Sequence, residues 1–274
     1  ETVADCREAG ADLPEADRQR LEAIQGELAK LTQEYSENVL DGTNAWELVI
    51  TDETRLAGIP EHAQAAARQA AQAKGHGSDD EPAWRFTLQF PTFIAVMTHA
   101  DDEELRREMH TAFVAVGSLG EHDNRPLVPR ILALRDEKAK LLGKTNFADR
   151  ALTRRMAKTG AEALAFVEDL QAKSQSQFER EIQEREAFKA QKTGDTATRL
   201  KAWEVGYWGE KQRKALHDFD TEELRPYFPV DRVITGLFEL CSRVFGLKIE
   251  EQVGEPGYVW HDEVKFYTMH DDAG

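Results

Sequence analysis

Apolar residues recur at steps of three and four along most of this chain, a period that is typical of amphipathic helices. The clearest stripe consists of Leu21, Ile24, Leu28, Leu31, Tyr35 and Val39. Because an α-helix completes a turn in about 3.6 residues, such a stripe faces one side and can pack on a core. Pro14 suits the first turn of this helix, and Asp41 with Gly42 is predicted to end it.

The same period predicts further helices, which makes the expected fold mainly α. Their approximate ranges are 60–74, 101–116, 124–142, 160–192, 201–217 and 233–245. Polar residues support several of the starts. Asp101 and Glu104 have the spacing of a capping box. Thr159 and Glu162 repeat that spacing, and Asn124 is a further candidate cap.

Alternating apolar and polar residues predict three short strands. One strand is expected at 84–90, before Pro91. The tail changes to the same period at 247–253 and 264–269. The loop and strand between Gly75 and Thr98 are the nearest sign of a domain boundary, since the chain has no linker rich in glycine and serine.

The charge balance limits the partners that this chain can bind. It carries 51 acidic against 35 basic residues, a formal net charge of −16. Because phosphate backbones are bound by clustered lysine and arginine, no nucleic-acid partner is expected. No run of about 18 apolar residues occurs, so no membrane partner is expected either. The two cysteines, Cys6 and Cys241, lie far apart in an acidic chain, which favours a reducing, cytoplasmic location.

Histidines are the first candidates for chemistry, and the eight present do not have the spacing of a catalytic metal site. A helical zinc site needs two imidazoles one turn apart and a nearby carboxylate, as in H-E-x-x-H. His261 and His270 stand beside acidic residues, but neighbours on a strand point to opposite faces. The motifs of serine hydrolases, kinases and dinucleotide-binding proteins are also absent. We therefore assign no catalytic, cofactor-binding or metal residue, and no cofactor, to this chain.

Aromatic residues are the second set of candidates. Trp203, Tyr207 and Trp208 have helical spacing and could line a groove, although such residues more often supply buried area to a core. The segment 225–229 could form a ligand-reading loop. Alternatively, its prolines fix a turn that places Tyr227 and Phe228 in the core. The core alternative is favoured for both sets.

Several sequence blocks stand in a fixed order along the chain. They read Y-S-E-N-V-L-D at 35–41, L-A-G-I-P-E at 56–61, F-P-T-F at 90–93, L-R-D-E-K-A-K-L-L-G at 134–143, N-F-A-D at 146–149, E-E-L-R-P-Y-F-P at 222–229 and V-W-H-D-E-V at 259–264. With these blocks the chain resembles the upstream part of the zinc oligopeptidases, the family of thimet oligopeptidase and oligopeptidase A, and it is most similar to the oligopeptidase A branch. The family's W-D-x-x-Y-Y reads W-E-V-G-Y-W at 203–208, a conservative departure.

The resemblance implies a multi-helix, zincin-type oligopeptidase scaffold with a few short strands. Residues 1–99 would form the N-terminal helical region, and residues 100–274 the upstream, non-zinc-binding part of the catalytic domain. Members of the family are metalloendopeptidases that hydrolyse short peptides in a deep channel, with zinc held by an H-E-x-x-H helix. That motif has no counterpart here, so no site residue is carried over, and zinc is implied only for the full-length enzyme.

Two functional hypotheses follow, and they leave open whether the chain acts as an enzyme. In the first, it is a fragment of a cytoplasmic zinc oligopeptidase, inactive alone, that forms a channel wall for short peptides and needs a downstream catalytic half. In the alternative, it is a non-catalytic helical module that binds peptides or proteins. In either case the strand at 264–270 would present an unpaired edge, which predicts self-association or fraying of the tail.

Overall fold

The computed structural model describes residues 2–195, 199–252, 260–261 and 263–271. Helices dominate these residues, which confirms the mainly-α expectation. The helices are α1 (Thr2–Glu8), α2 (Glu15–Ala45), α3 (Glu61–Ala73), α4 (Phe90–His99), α5 (Glu103–Val114), α6 (Leu127–Leu141), α7 (Phe147–Leu152), α8 (Gly160–Thr193), α9 (Val205–His217) and α10 (Val230–Phe245). The strands are β1 (Glu47–Ile50), β2 (Trp84–Thr87), β3 (Lys248–Gln252) and β4 (Phe266–His270). None of the described helices combines the length and the apolar content of a membrane span.

The chain forms two compact units, Glu1–Gln212 and Arg213–Gly274. The first contains α1 to α8 and most of α9, and the second contains α10, β3 and β4. The boundary at 99/100 that the resemblance implies concerns regions of a parent enzyme, and it stays a prediction. Val259 and Asp262 of the V-W-H-D-E-V block, and position 253 of the predicted tail strand, lie outside the described residues.

The core of the first unit forms around the antiparallel pair β1–β2. Leu48 is paired with Phe86, and Ile50 with Trp84. The sequence pattern does not predict β1, because four residues are too few to establish a period. The buried residues of this cluster are Ile50, Leu56, Ile59, Ala67, Trp84, Phe86, Phe93, Val96, Met97, Ala100, Leu105 and Met109. Full burial of a large apolar side chain contributes roughly 1.5–3 kcal/mol, so this cluster holds α3, α4 and α5 to the strands.

α2 and α6 pack along each other. Leu21 of α2 and Leu134 of α6 are almost fully buried, as the apolar stripe of α2 predicts. At the rim, Arg20 donates two hydrogen bonds to Glu137 at 2.6 and 2.7 Å. Because an exposed ion pair of this kind contributes little to stability, the apolar stripes decide the pairing of the two helices.

α2 does not end at Asp41 and Gly42 as predicted, but continues to Ala45. Gly42 lies against a neighbouring turn, where a Cβ on this glycine would be 3.6 Å from Cβ of His122 and 3.8 Å from the backbone nitrogen of Gly117. Glycine costs a helix about 1 kcal/mol relative to alanine. The helix nevertheless continues through Gly42 with the turn beside it, so the local stop signal does not decide where α2 ends.

The cap of α5 is displaced by one residue from the predicted Asp101. The side chain of Asp102 accepts the backbone N–H of Glu104 at 2.9 Å, whereas Asp101 binds side chains of a distant helix. The predicted cap of α8 is confirmed, since Oγ1 of Thr159 accepts the N–H of Glu162 at 3.2 Å. Capping spacing therefore locates both helix starts, but only the tertiary contacts decide which carboxylate is free to cap α5.

Asn124 does not cap α6 with its side chain. Its Nδ2 donates to the carbonyl oxygen of Tyr35 at 3.0 Å, and its Oδ1 accepts from Nδ2 of Asn38 at 2.9 Å. Both partners belong to α2. A buried amide needs such partners, so this side chain is committed to α2, and α6 begins after Pro126, at Leu127.

The strand predicted at 84–90 is shorter than expected, and its last residues start a helix. β2 ends at Thr87, and α4 begins at Phe90 with Pro91 in its first turn. Proline fits there because the first N–H groups of a helix have no acceptor within the helix. The sequence pattern reads Pro91 as the end of a strand, whereas it belongs to the start of a buried helix.

The second unit consists mainly of α10 and an antiparallel strand pair. β3 and β4 pair along their whole length, which confirms the strand period of the tail. α10 packs on β3, and the ring of Phe238 meets that of Tyr267 edge-on, with centroids 5.1 Å apart. α10 ends at Phe245 and is followed by Gly246, whose φ of 69° lies in the left-handed region that favours glycine.

The left-handed backbone conformation at Gly58, in the first unit, can be tested by substitution. Its φ of +84° is left-handed, and a Cβ there would clash with the carbonyl oxygen of His99. We expect Gly58→Ala to lower the free energy of unfolding by at least about 2 kcal/mol, because the strain and the clash add. In the control, Gly26 lies inside α2 with open space at the Cβ position, so Gly26→Ala should raise stability by about 0.5–1 kcal/mol. Equal effects in chemical denaturation would contradict the assigned conformations.

Candidate functional site

A dense group of polar contacts lies between α5, the end of α8 and α9. We call it the α5–α9 polar cluster and define it by Asp101, Glu103, Arg106, Lys189, Lys201, Trp203, Glu204, Tyr207 and Lys211. Three of its members come from the W-E-V-G-Y-W motif at 203–208. Because polar groups are rarely gathered inside a fold without a reason, this cluster is the first candidate for a functional site.

A buried ion pair joins α8 to the turn before α9. Nζ of Lys189 lies 2.7 Å from Oε1 of Glu204, and the two side chains are 9% and 2% exposed. The second oxygen, Oε2 of Glu204, accepts the backbone N–H of Lys201 at 2.9 Å. Burial of a charge is tolerated only with a close partner and satisfied hydrogen bonds. The glutamate that stands in the family's W-D position therefore holds the end of α8 to the start of α9.

Arg106 connects this joint to α5. It is 2% exposed, and its Nε donates to the carbonyl oxygen of Trp203 at 3.2 Å, while Nη1 donates to that of Ala100. Its guanidinium carbon lies 4.0 Å from the ring centroid of Tyr207. A guanidinium over an aromatic face gains a cation–π attraction, which is stronger when water is excluded. Arg106 is thus a buried bridge with its donors directed at backbone carbonyls.

Asp101 binds two side chains of α9. Its Oδ1 accepts from Oη of Tyr207 at 2.8 Å and from Nζ of Lys211 at 2.9 Å. Burial raises the pKa of Asp101. The hydrogen bonds from Lys211 and Tyr207 together lower it by more than burial raises it, so the pKa of Asp101 lies below the ordinary value. Burial and the bond to Asp101 raise the pKa of Tyr207. Burial lowers the pKa of Lys211, but its interactions with Asp101 and Tyr207 together more than offset this effect, so the pKa of Lys211 lies above the ordinary value.

These three shifts all move pKa values away from neutrality. At neutral pH the carboxylate of Asp101 is ionised, and the phenol of Tyr207 and the ammonium of Lys211 keep their protons. A general acid or base works best with a pKa near the operating pH. The trio therefore holds fixed charges in place and offers no proton-transfer group, which makes the α5–α9 polar cluster a structural joint.

Among the described residues, no group of three or more histidine, cysteine, aspartate or glutamate side chains is placed to hold a metal ion. His110 lies beside Trp203, with ring centroids 6.0 Å apart, and Nε2 of His76 lies 3.7 Å from the carboxylate of Glu47. A hydrolytic zinc needs about three protein ligands and an open position. This part of the chain does not bring them together, so we assign no metal-assisted step to it.

The aromatic residues of the 203–208 motif lie mainly in packed positions. Tyr207 is buried, and Trp203 packs against the core cluster of the first unit. Trp208 meets Tyr207 and Phe188 edge-on, at centroid distances of 5.1 and 6.3 Å. Edge-on aromatic contacts are favourable packing arrangements. The motif therefore serves packing, as the core alternative describes.

The segment 225–229 contradicts the expectation that its aromatic residues lie in a core. Tyr227 and Phe228 are 75% and 64% exposed. None of the described residues of the second unit falls in the buried class, so this described part offers no core that could receive them. His261 and His270, which stand beside acidic residues in the sequence, are exposed in the same unit.

A groove of about 570 Å³ beside α5 was not predicted from the sequence. Its wall is mostly apolar, and Trp46, Leu88 and Ala112 contribute to it. The end of α2 contributes Gly42 and Ala45 to its wall, and the neighbouring turn contributes Gly117 and Leu119. Concave, mostly apolar surfaces of this size can take a side chain or a small ligand. Gly42 is the one sequence signal near this groove, and the pattern predicts a helix stop there, not a groove.

The buried ion pair can be tested by removing one partner. We expect Lys189→Met to lower the free energy of unfolding by about 3–5 kcal/mol, because Glu204 is left buried without a counter-charge. The double variant Lys189→Met with Glu204→Gln should recover part of that loss. Lys173→Met is the matched control on α8, since Lys173 pairs with Asp169 on the surface and its loss should change little. Similar losses for both single variants would contradict the structural role of Lys189.

The lowered pKa of Asp101 predicts that the free energy of unfolding falls in acid. Its folded pKa lies below the ordinary value of 3.8, so its contribution is complete above that value and is lost as pH falls through the lower folded pKa. We therefore expect Asp101→Asn to flatten the change of unfolding free energy below about pH 4. Tyr207→Phe removes one of the two bonds and should flatten it partly. Denaturation over a pH series measures both slopes, and an unchanged slope in Asp101→Asn would refute this assignment.

Comparison with known proteins places this scaffold among peptidases. Residues 96–274 match Peptidase family M3. Oligopeptidase A of Salmonella typhimurium is 38% identical over 269 residues, which cover 96% of this chain and 38% of that protein. Oligopeptidase A of Haemophilus influenzae is 37% identical over 276 residues, 99% of this chain and 39% of that protein. An organellar oligopeptidase A of Arabidopsis thaliana is 35% identical over 267 residues, 97% and 34% of the two chains.

These matches cover nearly all of the chain, which itself spans less than two fifths of the length of each of these three relatives. The blocks quoted from the sequence therefore belong to a continuous similarity and are not isolated coincidences. The family match alone extends over well more than half of the chain. The chain accordingly belongs to peptidase family M3.

Proposed function

We propose that this chain forms part of the scaffold of a zinc-dependent oligopeptidase, a metalloendopeptidase that hydrolyses short peptides in a deep channel. Its helices form a wall of that channel, and a downstream catalytic half outside this chain supplies the zinc ligands. The observation that carries the proposal is the match to oligopeptidase A over 96% of the chain. The described residues hold no group of metal ligands, so we expect the chain alone to cleave no peptide.

Exposed apolar side chains on α8 support a role within a larger fold. Five of them are 55–67% exposed: Leu164, Phe166, Val167, Leu170 and Phe178. Soluble proteins seldom leave so much apolar surface in contact with water unless another surface covers it. Lys189 is the one buried residue of this 34-residue helix. Further polypeptide packed on α8 would cover these side chains in the proposed enzyme.

α10 presents a similar apolar face in the second unit. Val233, Leu237, Leu240 and Val244 follow each other at helical spacing and are 49–61% exposed. The sequence pattern marks them as a stripe that faces a core, yet the described residues of this unit supply no such core. In the proposed enzyme this stripe packs on another part of the protein, because an amphipathic helix is stabilised chiefly by burial of its apolar face.

The α5–α9 polar cluster supports the role of a channel wall. A wall that positions a peptide needs helices with one fixed arrangement, because small displacements weaken binding and catalysis strongly. The buried pair of Lys189 and Glu204 and the bridging Arg106 provide directional contacts of that kind. The helices they join are therefore held more firmly than apolar packing alone would hold them.

The proposed enzyme works in the cytoplasm on short peptides. Cys6 and Cys241 are both free thiols, the state expected in a reducing compartment. The net charge of −16 does not suit a nucleic-acid partner. The peptide substrates are those of the full-length enzyme.

We also propose that the chain self-associates through β4, the strand within residues 264–270. β4 pairs with β3 along one edge, and in this two-stranded sheet its other edge has no strand partner among the described residues. Lys265 pairs with Glu251 across the sheet at 3.4 Å. Unpaired edges tend to pair with other chains. Sedimentation over a concentration series tests this, and a monomer at every concentration would exclude it.

The alternative function is a non-catalytic helical module that binds peptides or proteins. The groove beside α5 is the observation that favours it, because a mostly apolar concave surface can bind ligands without any catalytic group. The two functions differ in one respect: the scaffold role requires that the chain can complete an active peptidase, whereas the module does not.

A chimera separates the two functions. We would replace the matched segment of oligopeptidase A from Salmonella typhimurium with this chain and follow cleavage of a quenched fluorescent peptide. If the chain is peptidase scaffold, the chimera should turn over peptide, lose activity with a chelator and regain it with zinc. The isolated chain with added zinc is the control and should show no turnover. A folded chimera without activity would contradict the scaffold role and favour the binding module.

A further inference from the structure

Two arginine side chains lie against the ring of Phe147 in the first unit, and a lysine lies near one of them. Arg135 and Lys138 lie one turn apart on α6, and Arg150 lies on α7. The guanidinium carbons of Arg135 and Arg150 are 5.2 and 5.8 Å from the ring centroid of Phe147. Lys138 is close enough to Arg150 for the arginine charge to lower its pKa, after the larger lowering caused by burial. We call these three cations with Phe147 the Phe147 cation site.

None of the three cations has an acidic partner among the described residues. Nε of Arg150 is buried without a hydrogen-bond acceptor. This is unusual in a chain with 51 acidic and 35 basic residues. An unsatisfied buried donor costs free energy, and more so when it belongs to a charged group. Like charges held close together add a further cost.

The carboxylates that could neutralise the site are engaged elsewhere. Next to Arg150 in sequence, Asp149 accepts the amide of Asn146 at 3.0 Å and the backbone N–H of Gly160 at 2.8 Å. On α6, Asp136 binds Lys140 at 2.6 Å. The following residue, Glu137, reaches across to Arg20 on α2. Each of these acids, close in sequence to the three cations, is thus engaged by another partner.

We propose that the Phe147 cation site binds a small oxyanion with two or more negative charges, a phosphate group or a pair of carboxylates. Guanidinium groups match the planar geometry of carboxylate and phosphate oxygens, and an ammonium adds a point charge that adapts to either. The bound anion would accept from Nε of Arg150 and offset the repulsion between Arg150 and Lys138. Proteins retain such local costs mainly where a ligand or a catalytic step uses them.

Three members of this site belong to blocks of the sequence that carry the resemblance to the zinc oligopeptidases. Arg135 and Lys138 belong to L-R-D-E-K-A-K-L-L-G at 134–143, and Phe147 belongs to N-F-A-D at 146–149. All members lie in the first unit, so the site needs no residue of the second. The inference does not rest on the proposed peptidase function, since anion binding is measured on the chain without any peptide substrate.

Calorimetric titration tests the proposal. The 274-residue chain is titrated with inorganic phosphate and, separately, with succinate, at constant ionic strength set by chloride. We expect saturable binding of at least one of the two anions. Arg150→Gln and Lys138→Gln should each weaken it about tenfold or more, the effect of losing one charge-assisted hydrogen bond. If Arg150→Gln does not fold, Lys138→Gln alone decides the outcome.

Lys140→Gln is the matched control. It removes the same charge from the same helix, but Lys140 is exposed and paired with Asp136, so affinity should stay within about twofold of the wild type. Nuclear magnetic resonance of the Lys138 ammonium gives a second readout, because a bound anion should move its pKa upward. Saturation by phosphate alone or by succinate alone assigns the ligand class. No saturable heat with either anion, or equal weakening by Lys138→Gln and Lys140→Gln, would overturn the proposal.

Discussion

The buried pair of Lys189 and Glu204 is the constraint on which the arrangement of the later helices in the first unit depends. Apolar contacts alone allow helices to slide and rotate at small cost, because they have no direction. A buried charge allows no such freedom, since moving it from its partner leaves it without solvation. Glu204 also receives the backbone N–H of Lys201, so one carboxylate sets both the end of α8 and the turn that starts α9.

Arg106 extends that constraint from α9 to the core around β1 and β2. It is surrounded by the carbonyl oxygens of Ala100 and Trp203 and by the ring of Tyr207. Because its donors are used by backbone acceptors, the residue has little left to offer a substrate. The α5–α9 polar cluster therefore holds α5, α8 and α9 in one arrangement and does not bind a substrate. This fits a chain whose relatives are peptidases, and whose described residues gather no metal ligands.

Charge pairing distinguishes the two polar regions of the first unit. In the α5–α9 polar cluster, the buried charge of Lys189 has an opposite partner and that of Arg106 has backbone acceptors. At the Phe147 cation site, none of the three cations has an acidic partner among the described residues, although acids outnumber bases in the chain. The first pattern stabilises a fold, whereas the second costs stability unless a ligand completes it. The two regions differ in whether each charged group has a counter-charge or a hydrogen-bond acceptor. They do not differ in kind of residue, since both contain lysine and arginine.

Local periodicity alone determined the mainly-α class, the long helices α2, α8 and α10 and the strand tail, because each has a repeated pattern or a cap within a few residues. The ordered blocks determined the family, and the missing H-E-x-x-H determined that no zinc ligand could be named. Only the tertiary structure decided that α2 passes Gly42, that Asp102 caps α5, and that Tyr227 stays exposed. It also decided which charges are paired, because Asp101 and Lys211, or Arg20 and Glu137, meet across a hundred or more residues of sequence. No pattern within one helix records such partners, which is why the joint, the groove and the unpaired cations appear only in the folded chain.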